Sequence, residues 1–251
     1  MGRLNGKIAV VTGGAKGLGV FYVNALAQEG ATVVLADIVE PTVETRSEFP
    51  PDRVVEHLLD VSDEAAVQRF VESVERSNGP IDILVNNAAL FSSLDATDVD
   101  QIDTDLFNAV MAVNIRGPFL MVKHVAPSMK ARRRGKIINI SSGVAYKGMS
   151  RMVHYATSKG AMLSFTRSLA RELGAYDICV NTLAPGLIMS DSVVANSQHI
   201  DDFREPVLAS RSIKRDGYPQ DLVGALVFLA SSESDFITGQ TIAIDGGSVN
   251  T

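Results

Sequence analysis

The sequence of 251 residues is poor in cysteine, lacks tryptophan and has no long apolar run. Its one cysteine, Cys179, cannot form a disulfide within the chain, and metal sites built from cysteine clusters are excluded. No apolar run reaches membrane-spanning length, and the N-terminus does not resemble a signal peptide. We therefore expect a cytoplasmic protein with no bound metal and no membrane partner.

Positive charge is also in the minority, with 23 Lys and Arg residues against 29 Asp and Glu and a net charge of −6. This balance argues against nucleic acid as a partner. One basic segment, 130–136, contains Lys130, Arg132, Arg133, Arg134 and Lys136. We interpret it as a solvated loop, and docking of an acidic carrier protein is the alternative.

Short apolar runs alternate with helix-like segments along the whole chain. Strands are predicted at about 8–11, 31–36, 54–59, 81–85, 136–140, 178–183 and 241–244. This alternation predicts one α/β domain over 1–251, a Rossmann-type doubly wound parallel sheet with helices on both faces. One long helix is predicted over about 105–130, and the polar segment 189–215 is predicted to be an irregular, mobile lid.

A glycine-rich segment follows the first predicted strand and opens a helix. Its glycines are Gly13, Gly17 and Gly19, in the spacing Gly-x-x-x-Gly-x-Gly. Such glycines let the backbone approach a pyrophosphate at the helix N-terminus, so the segment predicts dinucleotide binding.

Two carboxylates follow the next two predicted strands. Asp37 ends the second strand, where it can accept hydrogen bonds from ribose hydroxyls and would repel a 2′-phosphate. It therefore favours NAD over NADP, although Lys16 could reach such a phosphate. Asp60 ends the third strand and is predicted to contact the adenine amino group, with a plain helix-start role as the alternative.

The segment 142–159 carries the reactive groups. Tyr155 and Lys159 stand four residues apart, which on a helix places them on one face about 6 Å apart along the axis. A lysine ammonium there favours the phenolate of a tyrosine and makes it a usable acid/base. Ser142 ends an apolar strand, so its hydroxyl is predicted to converge with Tyr155 and Lys159 on one substrate oxygen.

Together these residues resemble the short-chain dehydrogenase/reductase family. The resemblance covers nearly the whole chain, and its motifs are Thr12-Gly13-x-x-x-Gly17-x-Gly19, Asp37, Asp60-Val61, Asn86-Asn87-Ala88-Ala89, Asn114, Ser142, Tyr155-x-x-x-Lys159, Pro185-Gly186 and Ile237 to Gly247. It implies that Tyr155 is the acid/base, Lys159 holds the nicotinamide ribose and lowers the pKa of Tyr155, and Ser142 orients the substrate oxygen. It also implies that Asn114 completes a proton relay through a water molecule.

The resemblance further implies a set of residues around NAD and a homotetramer built by helix pairing and by the tail 245–251. The expected cofactor residues are Gly13, Lys16, Gly17, Leu18, Gly19, Asp37, Ile38, Asp60, Val61, Asn87, Ala88, Tyr155, Lys159, Pro185, Gly186, Ile188 and Ser190.

The predicted substrate pocket is mostly apolar, and no lysine or arginine is obviously aimed at the reacting centre. Its expected residues are Ser142, Val144, Met149, Met152, Tyr155, Leu187, Met189 and Val193, with Phe91 and Ser92 as further candidates. We predict reversible hydride transfer between NAD(H) and a bulky hydrophobic secondary alcohol or ketone of the aryl, cyclic or terpene kind. An NADPH-dependent 3-oxoacyl-carrier-protein reductase and a non-catalytic NAD-binding regulator remain the alternatives.

Overall fold

The computed structural model describes residues 2–249, with the backbone alone for 197–201. In this range seven parallel strands form one sheet in the order β3-β2-β1-β4-β5-β6-β7. The strands are β1 (Ile8–Thr12), β2 (Thr32–Asp37), β3 (Val54–Leu58), β4 (Ile83–Asn86), β5 (Gly135–Ile140), β6 (Ile178–Pro185) and β7 (Thr241–Ile244). The strand order reverses between β1 and β4, so the loops after these two strands diverge and leave a crevice there.

Helices connect the strands and cover both faces of the sheet. They are α1 (Leu18–Gln28), α2 (Val43–Glu48), α3 (Glu64–Ser77), α4 (Thr104–Met111), α5 (Gly117–Arg132), α6 (Val144–Lys147), α7 (Val153–Leu173), α8 (Asp191–Val194), α9 (Ser197–Ser210) and α10 (Gln220–Ala230). The predicted doubly wound α/β fold is confirmed.

The strands are buried on both sides, and their alternate residues face two separate cores. In β1, Ala9 and Val11 pack with α1 and α10, whereas Val10 packs with α3, α5 and α7. Complete burial of one such aliphatic side chain contributes about 1.5–3 kcal/mol. This two-sided burial explains why the strands read as continuous apolar runs rather than alternating ones.

The predicted long helix at 105–130 is wrong in one respect. A π-helical turn, Ala112–Arg116, separates α4 from α5. A π turn adds one residue to the helix without altering its apolar character, so hydrophobic periodicity does not reveal it. Such turns are frequent at functional sites, and this one contains Asn114.

The prediction that 189–215 is irregular is also wrong. This segment contains α8 and α9, although the side chains of 197–201 are not described. The sequence did not predict α9 because Pro206 lies inside it and acidic residues interrupt its apolar positions. Among the described residues, none of the helices is long and apolar enough to cross a bilayer.

Candidate active site

A cavity of about 380 Å³ lies beyond the carboxyl ends of β1, β4, β5 and β6. The glycine-rich loop and Asp37 line one end of it. Tyr155 and Ser142 line its wall together with apolar residues from α6 and from the segment after β6. Ligands of doubly wound sheets bind in this crevice, so the cavity is the candidate active site.

The glycine-rich loop leaves no space for side chains. Gly13 and Gly17 have φ angles of 66° and 58°, in the left-handed region that glycine tolerates. A Cβ atom on Gly13 would lie 2.8 Å from the Cα of Ala88, and one on Gly17 would lie 2.9 Å from the Oγ of Ser192. The loop therefore presents bare backbone beside the start of α1, an arrangement that fits a dinucleotide pyrophosphate.

Gly19 has a different task from its two neighbours. It does not line the cavity, and a Cβ atom there would lie 1.9 Å from the carbonyl oxygen of Gly13. Gly19 therefore permits the close packing of α1 on the loop rather than contact with a ligand. The other residues predicted to contact the cofactor all line the cavity.

Asp37 joins the second strand to the glycine-rich loop. Its Oδ2 accepts a hydrogen bond from the backbone N–H of Ala15 at 3.0 Å, and its Oδ1 accepts one from Val39 at 3.3 Å. The side chain is buried but still lines the cavity. Its charge thus stands at the end of the cavity where a ribose 2′-substituent would lie if the pyrophosphate occupied the loop.

Asp60 also lies at this end, but its hydrogen bonds serve the chain. Its Oδ1 accepts from the backbone N–H of Ser62 at 2.8 Å and from the Ser62 hydroxyl at 2.7 Å. These bonds shape the turn before α3. The helix-start role is therefore present, and the adenine contact stays a prediction.

A polar network fixes the loop after β4 against the glycine-rich loop. The side-chain amide of Asn87 donates to the carbonyl oxygens of Thr12 and Gly13, both at 2.9 Å. The hydroxyl of Thr12 accepts from the backbone N–H groups of Asn87 and Ala88, both at 3.1 Å. The network makes the relative position of these two loops rigid.

Helix α7 positions Tyr155 and Lys159 one turn apart, and both side chains are buried. Burial raises the pKa of Tyr155 to about 12, although a hydrogen bond with Ser142 acts in the opposite direction. The Nζ of Lys159 donates to the carbonyl oxygen of Ile140 at 2.8 Å. Ser142 and Tyr155 thus meet at the cavity wall as predicted.

The expected effect of Lys159 on the pKa of Tyr155 stays a prediction. Lys159 was expected to lower the pKa of Tyr155, but burial lowers the pKa of Lys159 itself to about 8. Desolvation disfavours the charged form of each group, so both are driven toward their neutral forms. The hydrogen bond with the Ser142 hydroxyl lowers the pKa of Tyr155.

Asn114 ties the catalytic helix to the loop after β4. Its Oδ1 accepts from the backbone N–H of Leu90 at 2.8 Å, and its Nδ2 donates to the Leu90 carbonyl at 3.2 Å and to the Ser158 hydroxyl at 3.0 Å. Asn114 is buried and does not line the cavity. It reaches the residue next to Lys159 rather than Lys159 itself, so its relay role stays a prediction.

The geometry agrees with comparisons to known proteins. A family model described as "Enoyl-(Acyl carrier protein) reductase" matches residues 13–249. A galactitol 2-dehydrogenase of Agrobacterium fabrum is 38% identical over 98% of both chains. The chain belongs to the short-chain dehydrogenase/reductase family.

Two further relatives place this short-chain dehydrogenase/reductase among enzymes. A 3-oxoacyl-(acyl-carrier-protein) reductase of Thermotoga maritima is 37% identical over 98% of this chain and 99% of its own. The crystal structure of a levodione reductase superposes with a TM-score of 0.90 at 28% identity, covering 97% of this chain and 98% of that one. The chain is an oxidoreductase that acts on CH–OH groups, and its family binds a nicotinamide cofactor.

The cavity of this family member brings together most of the residues expected at the substrate. Six of the eight expected substrate residues line the cavity, namely Ser142, Val144, Met149, Tyr155, Leu187 and Val193. Phe91 stacks on Tyr155 with 4.5 Å between ring centroids and 30° between ring planes. An aromatic surface therefore adjoins the side chain of Tyr155.

Met152 and Met189, which were also expected at the substrate, do not line the cavity. Met152 precedes α7 and is completely buried in a cluster with Leu94 and Val110. Met189 donates its backbone N–H to the carbonyl of Gly217. Its neighbour Ile188, rather than Met189 itself, lines the cavity.

Several residues of this wall were not predicted. Phe203 and Val207 lie four residues apart on α9 and line the cavity together, a spacing that recognition of this helix would have revealed. Leu90 and Ser93 come from the loop after β4. Lys147 of α6, which was not among the expected residues, also lines the cavity beside Ser248.

Proposed function

We propose that this enzyme transfers hydride reversibly between NAD(H) and a secondary alcohol or ketone with a bulky hydrophobic body. The observation that carries the proposal is the position of Tyr155. Its hydroxyl belongs to a buried pair with Ser142 on the wall of a cavity that runs from Asp37 to the apolar residues of α9.

The nicotinamide cofactor supplies the hydride chemistry. The chain supplies the proton and the alignment. In oxidation, the phenolate of Tyr155 accepts the hydroxyl proton of the alcohol, and in reduction the phenol returns it to the carbonyl oxygen. Ser142 donates a hydrogen bond to that oxygen and stabilises the phenolate, and Lys159 holds the ribose beside Tyr155.

We propose NAD as the preferred coenzyme because of Asp37. Its buried carboxylate would accept hydrogen bonds from the ribose hydroxyls, and a 2′-phosphate would meet a like charge in a region of low dielectric constant. Lys16 lines the same end and is the opposing influence. Because Lys16 and Asp37 line the same end of the cavity, a comparison of NAD and NADP as coenzymes shows which of the two residues determines the preference.

The apolar lining supports a hydrophobic substrate. Phe91, Val144, Met149, Phe203 and Val207 surround the reacting end, so an aryl or cyclic group can be buried there. The relatives named above act on a polyol, a carrier-bound acyl group and levodione. They support alcohol and ketone chemistry without selecting among substrates.

The second candidate is an NADPH-dependent 3-oxoacyl-carrier-protein reductase, supported by the Thermotoga maritima relative. The basic segment 130–136 argues against carrier docking because each of its cations already has an acidic partner. The pairs are Lys130 with Glu172, Arg132 and Arg134 with Asp82, Arg133 with Asp177, and Lys136 with Asp235.

We also propose a cytoplasmic homotetramer built through α4, α5 and α7, with the C-terminal tail at another interface. Phe119 on α5 is 49% exposed, an apolar side chain that such pairing would cover. The tail is described only as far as Val249, and residues 250 and 251 lie outside the described range. Light scattering checks the assembly, because a monomeric mass would contradict it, and cell fractionation checks the location.

An absorbance screen with NAD and NADP against aryl, cyclic, terpene and steroid alcohols tests the function. We expect NAD-linked oxidation of at least one hydrophobic secondary alcohol. Tyr155→Phe should reduce turnover by about 10²–10⁴-fold while NADH binding persists, whereas Tyr146→Phe, outside the cavity lining, is the matched control. Tight NADH binding with no turnover of any substrate would instead support the non-catalytic regulator, and NADPH-linked reduction of acyl thioesters would support the carrier-protein reductase.

A further inference from the structure

The cavity carries a cation at its substrate end that the proposed chemistry does not use. Three lysines line the cavity. Lys16 stands with Asp37 and Asp60 at the cofactor end, and Lys159 is buried beside Tyr155. Lys147, the last residue of α6, is exposed and shares its part of the wall with Val207 and Ser248.

Among the described residues, the charge of Lys147 has no acidic partner. Its Nζ donates to the hydroxyl of Ser248 at 2.5 Å and lies 3.5 Å from the hydroxyl of Ser210. No carboxylate of the described residues lies within ion-pair distance of this Nζ. Neutral hydroxyls orient an ammonium group without neutralising it.

The hydrogen bonds of Ser210 and Ser248 orient the ammonium group of Lys147 without neutralising its charge. The Ser210 hydroxyl donates to the carbonyl of Val207 at 2.8 Å, and the two serine hydroxyls contact each other at 2.5 Å. With the proton of Ser210 committed to Val207, Ser248 donates to Ser210 and its lone pairs face Lys147. The ammonium group is thus held at the cavity wall with N–H bonds left over for a ligand.

Asp245 is an acidic residue that also lines the cavity, and its Oδ2 is buried without a hydrogen-bond partner among the described residues. Its Oδ1 accepts from the backbone N–H groups of Gly247 and Ser248 at 3.0 and 3.1 Å. The buried guanidinium of Arg211 donates to its backbone carbonyl at 3.1 Å. The positive charge of Arg211 offsets the negative charge of this carboxylate, so Lys147 is the group that supplies the attraction for an anion.

We propose that Lys147 binds a carboxylate at the distal end of the substrate. The preferred substrates are then hydroxy or oxo acids in which an apolar segment separates the reacting carbon from the carboxylate. The apolar wall of Phe91, Met149 and Phe203 takes the segment, and Lys147 takes the charge. This inference rests on the proposed function and narrows its substrate class.

The test compares oxo acids with their methyl esters, which share one skeleton and differ in charge. β-Benzoylpropionate and δ-benzoylvalerate, each paired with its methyl ester, are suitable probes. Wild-type enzyme should show a higher kcat/KM for the better acid than for its ester. Lys147→Met should lower this acid-to-ester ratio roughly tenfold, mainly through the KM of the acid, and Lys147→Arg should retain most of it.

Lys214→Met is the matched control. It removes the same charge near the end of α9, where Lys214 donates to the carbonyl of Ala209 and does not line the cavity. The ratio should stay at the wild-type value in this variant. Added salt should lower the ratio in the wild type and have little effect in Lys147→Met.

An unchanged ratio in Lys147→Met overturns the inference, as does an equal loss for acid and ester, which would indicate a structural role toward Ser248. If no probe is reduced, the proposed function fails for these ketones. Calorimetry of acid and ester with NADH-loaded enzyme then decides on Lys147, because only tighter binding of the acid that is lost in Lys147→Met supports it.

Discussion

The Nζ of Lys159 lies 5.8 Å from the centroid of the Tyr155 ring, and both side chains are buried. Burial acts on them in opposite directions, raising the pKa of Tyr155 to about 12 and lowering the pKa of Lys159 to about 8. Burial of the Lys159 ammonium group next to the Tyr155 hydroxyl therefore lowers the stability of the fold. This relationship makes stability and catalysis depend on pH in ways that can be separated.

Lys159→Met should stabilise the protein near pH 7 and lose this advantage as the pH rises. The folded pKa of about 8 is below the unfolded value of 10.5, so both states are charged below pH 8 and the folded state carries the full cost of burial. Between these values the folded state loses its proton first, and wild-type stability rises. Urea unfolding gives the difference in free energy of unfolding between Lys159→Met and the wild type. This difference should be about 2–3 kcal/mol smaller at pH 10 than at pH 7.

The exposed Lys214 provides the control for this experiment. Lys214→Met should differ from the wild type by the same free energy of unfolding at both pH values. The measurement stops at pH 10 because Tyr155, with its raised pKa, contributes a change of opposite sign above that pH. A Lys159→Met advantage that is constant from pH 7 to pH 10 would show that the buried lysine does not titrate in this range.

Ser142→Ala should move the pH profile of alcohol oxidation to higher pH. In the proposed mechanism, oxidation requires the phenolate of Tyr155, and the hydrogen bond from Ser142 lowers the pKa of that group. Loss of the hydroxyl raises the pKa, so half-maximal kcat/KM appears at higher pH and the rate at neutral pH falls. Ser142→Thr keeps a hydroxyl and should stay near the wild-type profile. A lower rate with an unshifted profile would confine Ser142 to substrate alignment.

Asp37→Asn should weaken the preference for NAD over NADP. The amide oxygen of asparagine can still accept the hydrogen bond that Ala15 donates to Asp37 at 3.0 Å, so the glycine-rich loop keeps its support. The substitution removes the charge that repels a 2′-phosphate, together with the longer hydrogen bond that Val39 donates to Asp37 at 3.3 Å. The ratio of kcat/KM values for the two coenzymes should fall by roughly tenfold, equivalent to about 1.4 kcal/mol. Asp60→Asn is the control, and an unchanged ratio in Asp37→Asn would remove Asp37 as the selector.

The sequence predicts what depends on local pattern. Continuous apolar runs such as 8–11 identify strands buried on two faces, and the glycine spacing together with Tyr155 and Lys159 identifies both ends of the site. Features that depend on distant parts of the chain were missed. Lys147 meets Ser248 from a position 101 residues away, and nothing near either residue indicates that pairing.

Other misses have local physical causes. The π turn that contains Asn114 was missed because its extra residue leaves no mark on hydrophobic periodicity. The contacts of α9 were missed because Pro206 interrupts the helix pattern that Phe203 and Val207 would otherwise show. Met152 has an apolar side chain of the kind that lines pockets. It lies just before α7, however, and packs into the buried cluster that includes Tyr155.

Arg151 clamps α9 to the loop after β4, and its removal should loosen the cavity wall. Its Nη2 donates to the carbonyl of Ala96 at 2.8 Å, and its other guanidinium nitrogens pair with Asp98 at 3.6 Å and Asp202 at 3.4 Å. Because the contacts of Arg151 are partly exposed, Arg151→Ala should raise the KM of the alcohol by roughly threefold to tenfold. Arg151 has a φ of 63°, so Arg151→Gly loses the same contacts but should unfold about 1 kcal/mol less readily than Arg151→Ala. Steady-state kinetics and urea unfolding separate the two effects, and a wild-type KM in both variants would rule out the clamp.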